Sequence, residues 1–381
     1  MTRTEPVRRT RMPAPTHLRA RDIEEFGREL DRLRAEVIAS RGEDDARYIR
    51  RVIAAQRRLE VGGRTVMFAS LLPPAWLTGT TMLAVAKILE NMEIGHNVLH
   101  GQWDWMRDPD IHSTTWEWDF ASPAEQWRHS HNYAHHTYTN VLGRDRDLGY
   151  GMLRVSPEQP WHPVYLAQPL YNLGLAAVFE YGIAIYDAEI DKAWQGEKGW
   201  GETAGQLARA LRKAARQGLK DYVAFPLLGG PAFLPVLLGN LTANVTRNVW
   251  AHTIIVCGHF PAGTRTFTED EIAEESRGEW YLRQLLGSAN ISGPALLHLL
   301  SGNLSHQIEH HLFPDLPSNR YAQIAPRVRE LCERFGLPYT TGSLPRQTAS
   351  VWRQITRLAL PGPVRSATRR GRTEPVVPRA A

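Results

Sequence analysis

Three short histidine-rich stretches place the strongest constraint on how this chain can fold. They read HNVLH at 96–100, HSHNYAHH at 129–136 and HQIEHH at 306–311. On a helix, positions i and i+4 share one face, so each stretch can direct two imidazoles the same way. In the adjacent pairs His135-His136 and His310-His311, the second ring points about 100° further round. Each pair can therefore reach two metal ions, or one metal ion and its surroundings.

Nine histidines are predicted metal ligands, eight in these stretches and one that opens the loop after an apolar segment. They are His96, His100, His131, His135, His136, His259, His306, His310 and His311. Imidazole suits iron, copper and zinc, but eight clustered rings exceed the three or four ligands that one zinc ion takes. The pattern therefore favours a two-metal site. Glu93 and Asn303 are candidates for side chains that orient the ligands, although the Glu93-x-x-His96 match can also be a coincidence.

The last stretch allows a local alternative. His306-x-x-Glu309-His310 is the inverted zinc-peptidase pattern, in which two histidines bind zinc and the glutamate acts as general base. This interpretation leaves the other two stretches unexplained and nominates no third ligand. His252 is a weaker candidate ligand than His259, because His259 begins the following loop.

Two long apolar stretches predict helical hairpins. Residues 66–90 contain one lysine and one glutamate, and residues 222–259 contain one arginine and no acidic residue. One membrane crossing needs about 20 apolar residues. We therefore expect transmembrane hairpins at about 66–100 and 222–259. Thr interrupts the first stretch and Asn, Thr and Arg interrupt the second, which leaves a buried hairpin in a soluble core as the alternative.

A third apolar stretch, 164–187, is long enough to cross a membrane once. The loop after it, 188–221, contains seven lysines and arginines, and such loops lie on the cytoplasmic side. The loop 96–162 must lie on that side too, if its histidines meet those at 306–311. We therefore expect 164–187 to be an interfacial or re-entrant segment.

Apolar residues at helical spacing predict amphipathic helices at 22–39, 44–60 and 320–335, and no segment shows strong strand alternation. We predict an all-α membrane protein with two transmembrane hairpins and a cytoplasmic helical cap that holds the two-metal site. The predicted parts are a disordered basic tail at 1–20, one domain at 21–345, and a C-terminal helix with a basic disordered tail at 346–381.

Charge and cysteine content narrow the class further. The net charge of +5 is concentrated at both ends, which suits an anionic membrane face or a phosphate-bearing ligand as well as nucleic acid. No zinc-finger, homeodomain or RNA-recognition pattern is present, so we expect no nucleic-acid partner. Two cysteines outside any CxxC pair exclude a disulfide framework. The charged N-terminus lacks the apolar segment of a signal peptide, so we expect a multi-pass cell-membrane protein whose site faces the cytoplasm.

The boxes HNVLH, HNYAHH and HQIEHH, ordered around two apolar hairpins, resemble those of the integral-membrane fatty acid desaturases. The resemblance extends over most of residues 45–345. The strings YIRRVIAAQRRLE, ILENMEIGHNVLHGQWDW, GYGMLRV, RNVW and CGHFP look most similar to actinobacterial acyl-CoA desaturases of the stearoyl- or linoleoyl-CoA type.

The resemblance implies an O₂-dependent oxidoreductase with two irons. Such an enzyme takes a long-chain acyl-CoA, O₂ and two electrons, and introduces a cis double bond by removing two hydrogens from adjacent methylene groups. A delta-9 enzyme of the stearoyl-CoA type is the expected specificity, with no catalytic residues beyond the metal ligands. The family's boxes correspond here to His96, His100, His131, His135, His136, His310 and His311.

The third box leaves one ligand open. Many members of the family have His-x-x-His-His there and the front-end branch has Gln-x-x-His-His, whereas this chain has both His306 and Gln307. Gln307 is thus an alternative ligand. A front-end, delta-6 or linoleoyl-type desaturase and a membrane di-iron fatty acyl hydroxylase are the alternative functions.

Front-end enzymes often carry a fused cytochrome b5 with an HPGG motif, which this sequence lacks. We therefore expect a separate electron donor, either a ferredoxin or an NADPH-dependent reductase, beside the acyl-CoA and membrane lipid. The basic side chains that could face the donor or the CoA phosphates, or simply solvent or lipid, are Arg128, Arg144, Lys192 and Arg320.

An oxidant strong enough to attack an unactivated methylene group needs a dry site that holds the acyl chain still. We therefore expect an apolar tunnel. The tryptophans that either line it or anchor the protein at the membrane interface are Trp103, Trp105, Trp116 and Trp118.

Overall fold

The computed structural model of the chain describes Pro15 and residues 17–362, and most of these residues are helical. The predicted tails before residue 15 and after residue 362 lie outside this range. A parallel pair of three-residue strands, β1 (Asn290–Ser292) and β2 (Thr341–Ser343), is the one sheet among the described residues. The all-α prediction missed this pair, because three residues are too few to show alternation.

The described α-helices are, in chain order, α1 (Ala20–Ala39), α2 (Glu43–Met67), α3 (Pro73–Ile88), α4 (Asn97–Leu99), α5 (Ala124–Trp127), α6 (His136–Tyr138), α7 (Gln168–Ala177), α8 (Phe179–Tyr186), α9 (Ile190–Trp194), α10 (Trp200–Leu219), α11 (Phe225–Leu228), α12 (Phe233–His259), α13 (Glu269–Ile272), α14 (Arg277–Gly287), α15 (Ala295–Leu300), α16 (Gln307–Leu312), α17 (Tyr321–Arg334) and α18 (Leu344–Ala359). The described π-helical segments are Leu89–His96, Arg128–His135 and Lys220–Ala224. Short 3₁₀ turns cover Asp104–Met106, Leu148–Gly151, Pro163–Ala167, Gly230–Ala232, Leu304–His306 and Ser318–Arg320.

Long helices pack as two hairpins. Helix α2 packs along α3, and α12 packs along α3 and on α11. The indole N–H of Trp76 donates to the carbonyl of Pro235 at 2.9 Å, so the turns of both hairpins lie at the same end. The helices approach closely, since a Cβ atom on Gly239 would lie 2.1 Å from Cε of Met67.

The hairpins differ in position from the predicted ones. The turn expected within 66–100 lies at 68–72, so α2 forms the first arm. The turn expected within 222–259 lies at 229–232, so α10 and its π-helical continuation form the first arm. Hydropathy missed both first arms because charged residues cover one face of each helix.

Large apolar side chains are exposed around both turns. They are Phe68, Leu71, Leu72, Leu77, Leu227, Leu228 and Leu234. Contiguous exposed apolar patches are uncommon on soluble monomers and mark contact surfaces. Within the described part of the chain, no helix is both long enough and apolar enough to cross a membrane.

A buried network of charges joins the two hairpins. Asp221 binds Arg64 at 3.0 Å and Lys87 at 2.8 Å, and Lys87 also binds Asp119 at 3.0 Å. The side chains of Lys87 and Asp221 are only 6% and 3% exposed. Burying an unpaired ion costs several kcal/mol. The network therefore holds α2, α3 and the segment before α11 in one arrangement.

The remaining helices form a cap over one end of the hairpins. Helix α1 packs on α14 and α17 through the predicted apolar stripe, which includes Phe26 and Leu30. Arg320 ties the cap to the start of α2 by two hydrogen bonds to Asp45, both 2.6 Å long.

The apolar segment 164–187 folds as two short helices, α7 and α8. Val178 interrupts the helical path between them. With 10 and 8 residues, each helix is much shorter than the about 20 residues that a crossing needs. Helix α7 packs on α12 and α18.

We expect Asp221→Asn to destabilise the fold strongly, because it removes the buried partner of both Arg64 and Lys87. Breaking a buried ion pair from one side costs about 3–5 kcal/mol. The measurement is the thermal unfolding midpoint of the purified protein. Glu36→Gln is the matched control, since Glu36 forms an exposed pair with Arg327 that contributes at most about 1 kcal/mol. Equal midpoints for the two variants would contradict this role of the network.

Candidate metal centre

π-Helical segments carry two of the three histidine-rich stretches. One ends at His96, and the other contains His131 and His135. A π-helix bonds i to i+5 rather than i to i+4, so each residue turns the chain by a smaller angle than in an α-helix. His131 and His135 stay on one side of this segment, with ring centroids 5.0 Å apart and Asp147 close to both, and each also faces a different set of histidines. Such segments occur frequently at functional sites.

The structure brings eight of the nine predicted ligands together. We call His96, His100, His131 and His310 the first histidine group, and His135, His259 and His311 the second; within each group the candidate ligand nitrogens lie within 4.8 Å of one another. His136 lies between them, close to both His310 and His311. The adjacent pair His310-His311 on α16 is divided between the groups, as the α-helical angle requires.

The Nδ1 atoms of four rings are held by partners outside the groups. The contacts are His131 Nδ1 to Asp147 Oδ2 at 3.2 Å, His135 Nδ1 to Asp145 Oδ1 at 3.0 Å, His310 Nδ1 to Tyr321 Oη at 3.2 Å, and His311 Nδ1 to Gln284 Oε1 at 3.0 Å. A partner on Nδ1 places the hydrogen there and leaves the lone pair of Nε2 free. These partners therefore orient each ring and set its tautomer.

The Nε2 atoms, which point toward the other histidines, mostly lack partners of this kind. Among the eight converging rings, the buried Nε2 atoms without a hydrogen-bond partner belong to His100, His131, His135, His136 and His311, and Nε2 of His306 outside the groups is also without one. In addition, Nε2 of His96 and Nε2 of His310 lie 3.3 Å apart. Each buried unpaired polar atom costs about 1–3 kcal/mol. So many converging lone pairs fit a metal site.

Burial also keeps most of these rings neutral. It lowers the pKa of His136, His310 and His311 well below the usual value of an imidazole, and the neutral ring is the form that binds metal. For His135, burial acts in the same direction, but the carboxylates of Asp145 and Asp147 outweigh it and raise the pKa. A carboxylate behind an imidazole makes it a stronger ligand.

The structure separates His306 from both groups. Its ring stacks on His298 with centroids 4.6 Å apart. Gln307 instead reaches the second group, with its Nε2 atom 3.0 Å from Nε2 of His259, and its buried Oε1 atom has no partner. Gly258 leaves the space for this contact, because a Cβ atom there would lie 2.8 Å from Cγ of Gln307.

Glu309 is hydrogen-bonded to side chains that are not part of the zinc-peptidase pattern. It accepts hydrogen bonds from Asn290 Nδ2 and Tyr339 Oη, each at 2.8 Å. A general base needs an oxygen that is free to take a proton. With His306 apart from His310, this arrangement removes the geometric basis of the peptidase alternative.

Glu93 and Asn303 contact each other rather than the imidazoles. Glu93 accepts hydrogen bonds from Asn303 at 2.9 Å, Tyr48 at 2.9 Å and Ser318 at 2.6 Å. All three partners lie outside the histidine groups. His252 is also elsewhere, with its Nε2 atom 3.1 Å from Oδ1 of Asn172.

The side chains that orient the rings were missed by the sequence prediction. They are Asp145, Asp147, Gln284 and Tyr321. Asp145 and Asp147 could have been predicted, because both lie in the string GRDRD shortly after the second box. Gln284 and Tyr321 come from distant helices, and nothing local in the sequence distinguishes them.

Three of the four basic side chains suggested for a donor or CoA are already paired. The pairs are Arg144 with Glu269 at 2.9 Å, Lys192 with Glu189 at 2.5 Å, and Arg320 with Asp45 at 2.6 Å. Their charge is largely compensated within the chain, so these residues provide little net positive surface.

A cavity of about 600 Å³ with a mostly apolar wall is lined in part by Asp145, the partner of His135. Leu148, Leu153, Leu175 and Phe179 contribute to its wall. A smaller cavity of about 40 Å³ reaches His96 and His131, and Trp118 lines it. Of the four candidate tryptophans, Trp118 is therefore placed to contact a ligand beside the histidines.

Comparison with known proteins identifies similar sequences. A family model described as fatty acid desaturase matches residues 72–343. The chain is 52% identical over 349 residues to an NADPH-dependent stearoyl-CoA 9-desaturase of Mycobacterium tuberculosis (strain ATCC 25618 / H37Rv), covering 91% of this chain and 82% of the relative. It is 30% identical over 284 residues to an sn-1 linoleoyl-lipid 6-desaturase of Synechocystis sp. (strain ATCC 27184 / PCC 6803 / Kazusa), covering 72% and 77% respectively.

Replacing His311 with alanine should lower the metal content of the purified protein, because His311 faces both the second group and His136. His306→Ala is the matched control: it removes a nearby imidazole of the same box that lies outside both groups. Metal per protein molecule, determined by elemental analysis, checks this. An equal loss of metal in both variants would show that the grouping is wrong.

Proposed function

The chain belongs to the fatty acid desaturase family, and we propose that it is an O₂-dependent acyl-CoA desaturase that introduces a cis double bond at the delta-9 position of a long-chain acyl group. The observation that carries this proposal is the pair of histidine groups, with a small cavity at His96 and His131 and a larger apolar cavity beyond it. The 52% identity to a stearoyl-CoA 9-desaturase supports the acyl-CoA substrate and the delta-9 position.

The residues fit two irons. The first histidine group would hold one iron and the second group the other, with His136 close to both. Gln307, rather than His306, is the candidate from the third box that contacts a group. Imidazole ligation suits iron, and bound iron would supply the activation of O₂ that attack on an unactivated C–H bond requires.

The protein's own side chains orient and protect this site. Asp145 and Asp147 hold the rings of His135 and His131 from behind, and such partners fix ligand geometry. The apolar cavity would hold the acyl chain and exclude water from the reacting carbons. Holding the reacting carbons in the right place contributes much of the rate enhancement, because these carbons carry no polar group that the protein could bind.

The reaction needs an external electron donor. Reducing O₂ to two waters takes four electrons, of which the two broken C–H bonds supply two together with two protons. The other two electrons and two protons must come from outside the acyl chain. The name of the Mycobacterium relative includes NADPH dependence, which favours an NADPH-dependent reductase over a ferredoxin as the partner.

We also propose a multi-pass protein of the cell membrane, with the histidine groups on the cytoplasmic side. The exposed apolar side chains around both hairpin turns support this, since they lie at one end of the helices. The lysines and arginines of the segment 188–221, which contains α9 and α10, support the cytoplasmic placement.

Leu71 and Leu228, which are 63% and 69% exposed at the two turns, allow a test. We expect the double substitution Leu71→Glu with Leu228→Glu to move much of the protein out of the membrane fraction after alkaline carbonate extraction, because charged groups enter lipid at high cost. Leu360→Glu is the control, at a similarly exposed leucine outside the turns (60% exposed). Equal retention of all three proteins would argue against insertion of the turns.

A front-end desaturase is the second candidate. Gln307 in the third box and the 30% identity to an sn-1 linoleoyl-lipid 6-desaturase favour it. The two candidates differ in the position of the double bond and in the carrier of the acyl chain, so product analysis separates them.

Expression in a host without its own desaturase, followed by mass spectrometry of its fatty acids, tests the function. We expect delta-9 monounsaturated chains from the wild-type protein and none from His135→Ala, which removes a ring of the second group. A delta-6 product would establish the front-end alternative. A product with one added oxygen would establish a hydroxylase instead.

A further inference from the structure

We propose that Tyr150 is a specificity-determining residue, whose ring decides which pair of carbons of the acyl chain is presented to the histidine groups. This inference rests on the proposed desaturase function. The relevant observation is that Tyr150 lies between the large apolar cavity and the small cavity beside His96 and His131.

Four residues line both cavities and therefore form the partition between them. They are Tyr150, Phe179, Ile183 and Tyr186. Phe179 and Ile183 are buried on α8 and belong to the hydrophobic core. Tyr186 is held by its own hydrogen bond to Asp147. Tyr150 is half-buried in the 3₁₀ turn Leu148–Gly151, outside the helix α8 that carries the other three residues.

The backbone at this point is specialised. Gly149, Tyr150 and Gly151 are consecutive residues with φ of +66°, +52° and +66°. Glycine adopts this left-handed conformation freely, but a bulky residue there is a rare outlier. Such strain persists where the surroundings enforce it, and it clusters at ligand sites. The local conformation thus holds a large ring in a place where glycine alone would be easier to accommodate.

The ring is also tied to the metal site. It packs edge-on against Phe179 and Tyr186, each with centroids 5.7 Å apart. The hydroxyl of Tyr186 donates to Oδ1 of Asp147 at 2.8 Å, and Oδ2 of Asp147 lies 3.2 Å from Nδ1 of His131. The partition therefore keeps a defined distance from the first histidine group.

The position of the Tyr150 ring therefore determines where along the acyl chain the double bond forms. The small cavity of about 40 Å³ has room for only one or two groups the size of a water molecule. An acyl chain in the large cavity can therefore present only a short part of itself beyond the partition. The Tyr150 ring determines how many methylene groups remain in the large cavity and which ones lie beside the histidines. A misplacement of about 1 Å lowers the rate roughly 100-fold, so a one-carbon shift selects a different product.

Tyr150→Gly is the decisive variant, because it removes the ring and suits the left-handed backbone, so it should fold. We expect positional isomers other than the wild-type product to rise about tenfold, in line with the discrimination that one methylene group provides. Tyr150→Phe keeps the ring and is the control, with the wild-type isomer pattern expected. Isomer composition is measured by mass spectrometry of derivatised double bonds.

A second variant, Tyr150→Asn, also tolerates the left-handed conformation and guards against failure of the glycine variant. The proposal is overturned if an active Gly or Asn variant makes the same isomers as the wild-type protein. It is equally overturned if both variants keep their metal and thermal midpoint but make no product, since Tyr150 would then be needed for turnover itself. Absence of unsaturated product from the wild-type protein would instead count against the proposed function.

Discussion

The structure depends on one physical constraint: eight imidazoles must converge in the interior, five of them with an Nε2 atom that no protein group pairs. In isolation this arrangement is unfavourable, because each buried lone pair forfeits its hydrogen bonds with water. The rings come from sequence-distant segments, namely the π-helical continuation of α3, the segment 128–136, the end of α12 and α16. The rest of the fold has to hold these segments together against that cost.

Two layers of polar contacts meet this demand. Close to the rings, hydrogen bonds to the Nδ1 atoms leave the Nε2 atoms free to face one another. The partners are Asp145, Asp147, Gln284 and Tyr321. Further away, the buried ions around Lys87 and Asp221 lock the hairpins that deliver His96 and His259. In both layers the carboxylates are paired within the protein, which lowers the cost of burying them.

Local sequence patterns correctly predicted which histidines cluster, but they predicted less well how the helices that carry them are arranged. The division of His310 and His311 between two groups follows from α-helical angles, whereas the π-helical conformation around His131 and His135 was not predicted from the histidine spacing. Hydropathy found α3 and α12 but not their partners α2 and α10, whose charged faces mask their packing against those helices. The suggested basic surface at Arg144, Lys192 and Arg320 is largely neutralised by acidic residues brought there by the fold.

The sequence by itself determined the chemistry of the donor set. Which imidazoles one stretch can present together is a local property of helical spacing, and eight of the nine predicted ligands lie together in the structure. Only the tertiary structure decided that Gln307 rather than His306 meets His259, and that Tyr150 stands between the two cavities. Those outcomes depend on which distant segments pack against one another. Adjacent residues of the third box, on one helical turn, face different neighbours, and their order along the chain carries no information about them.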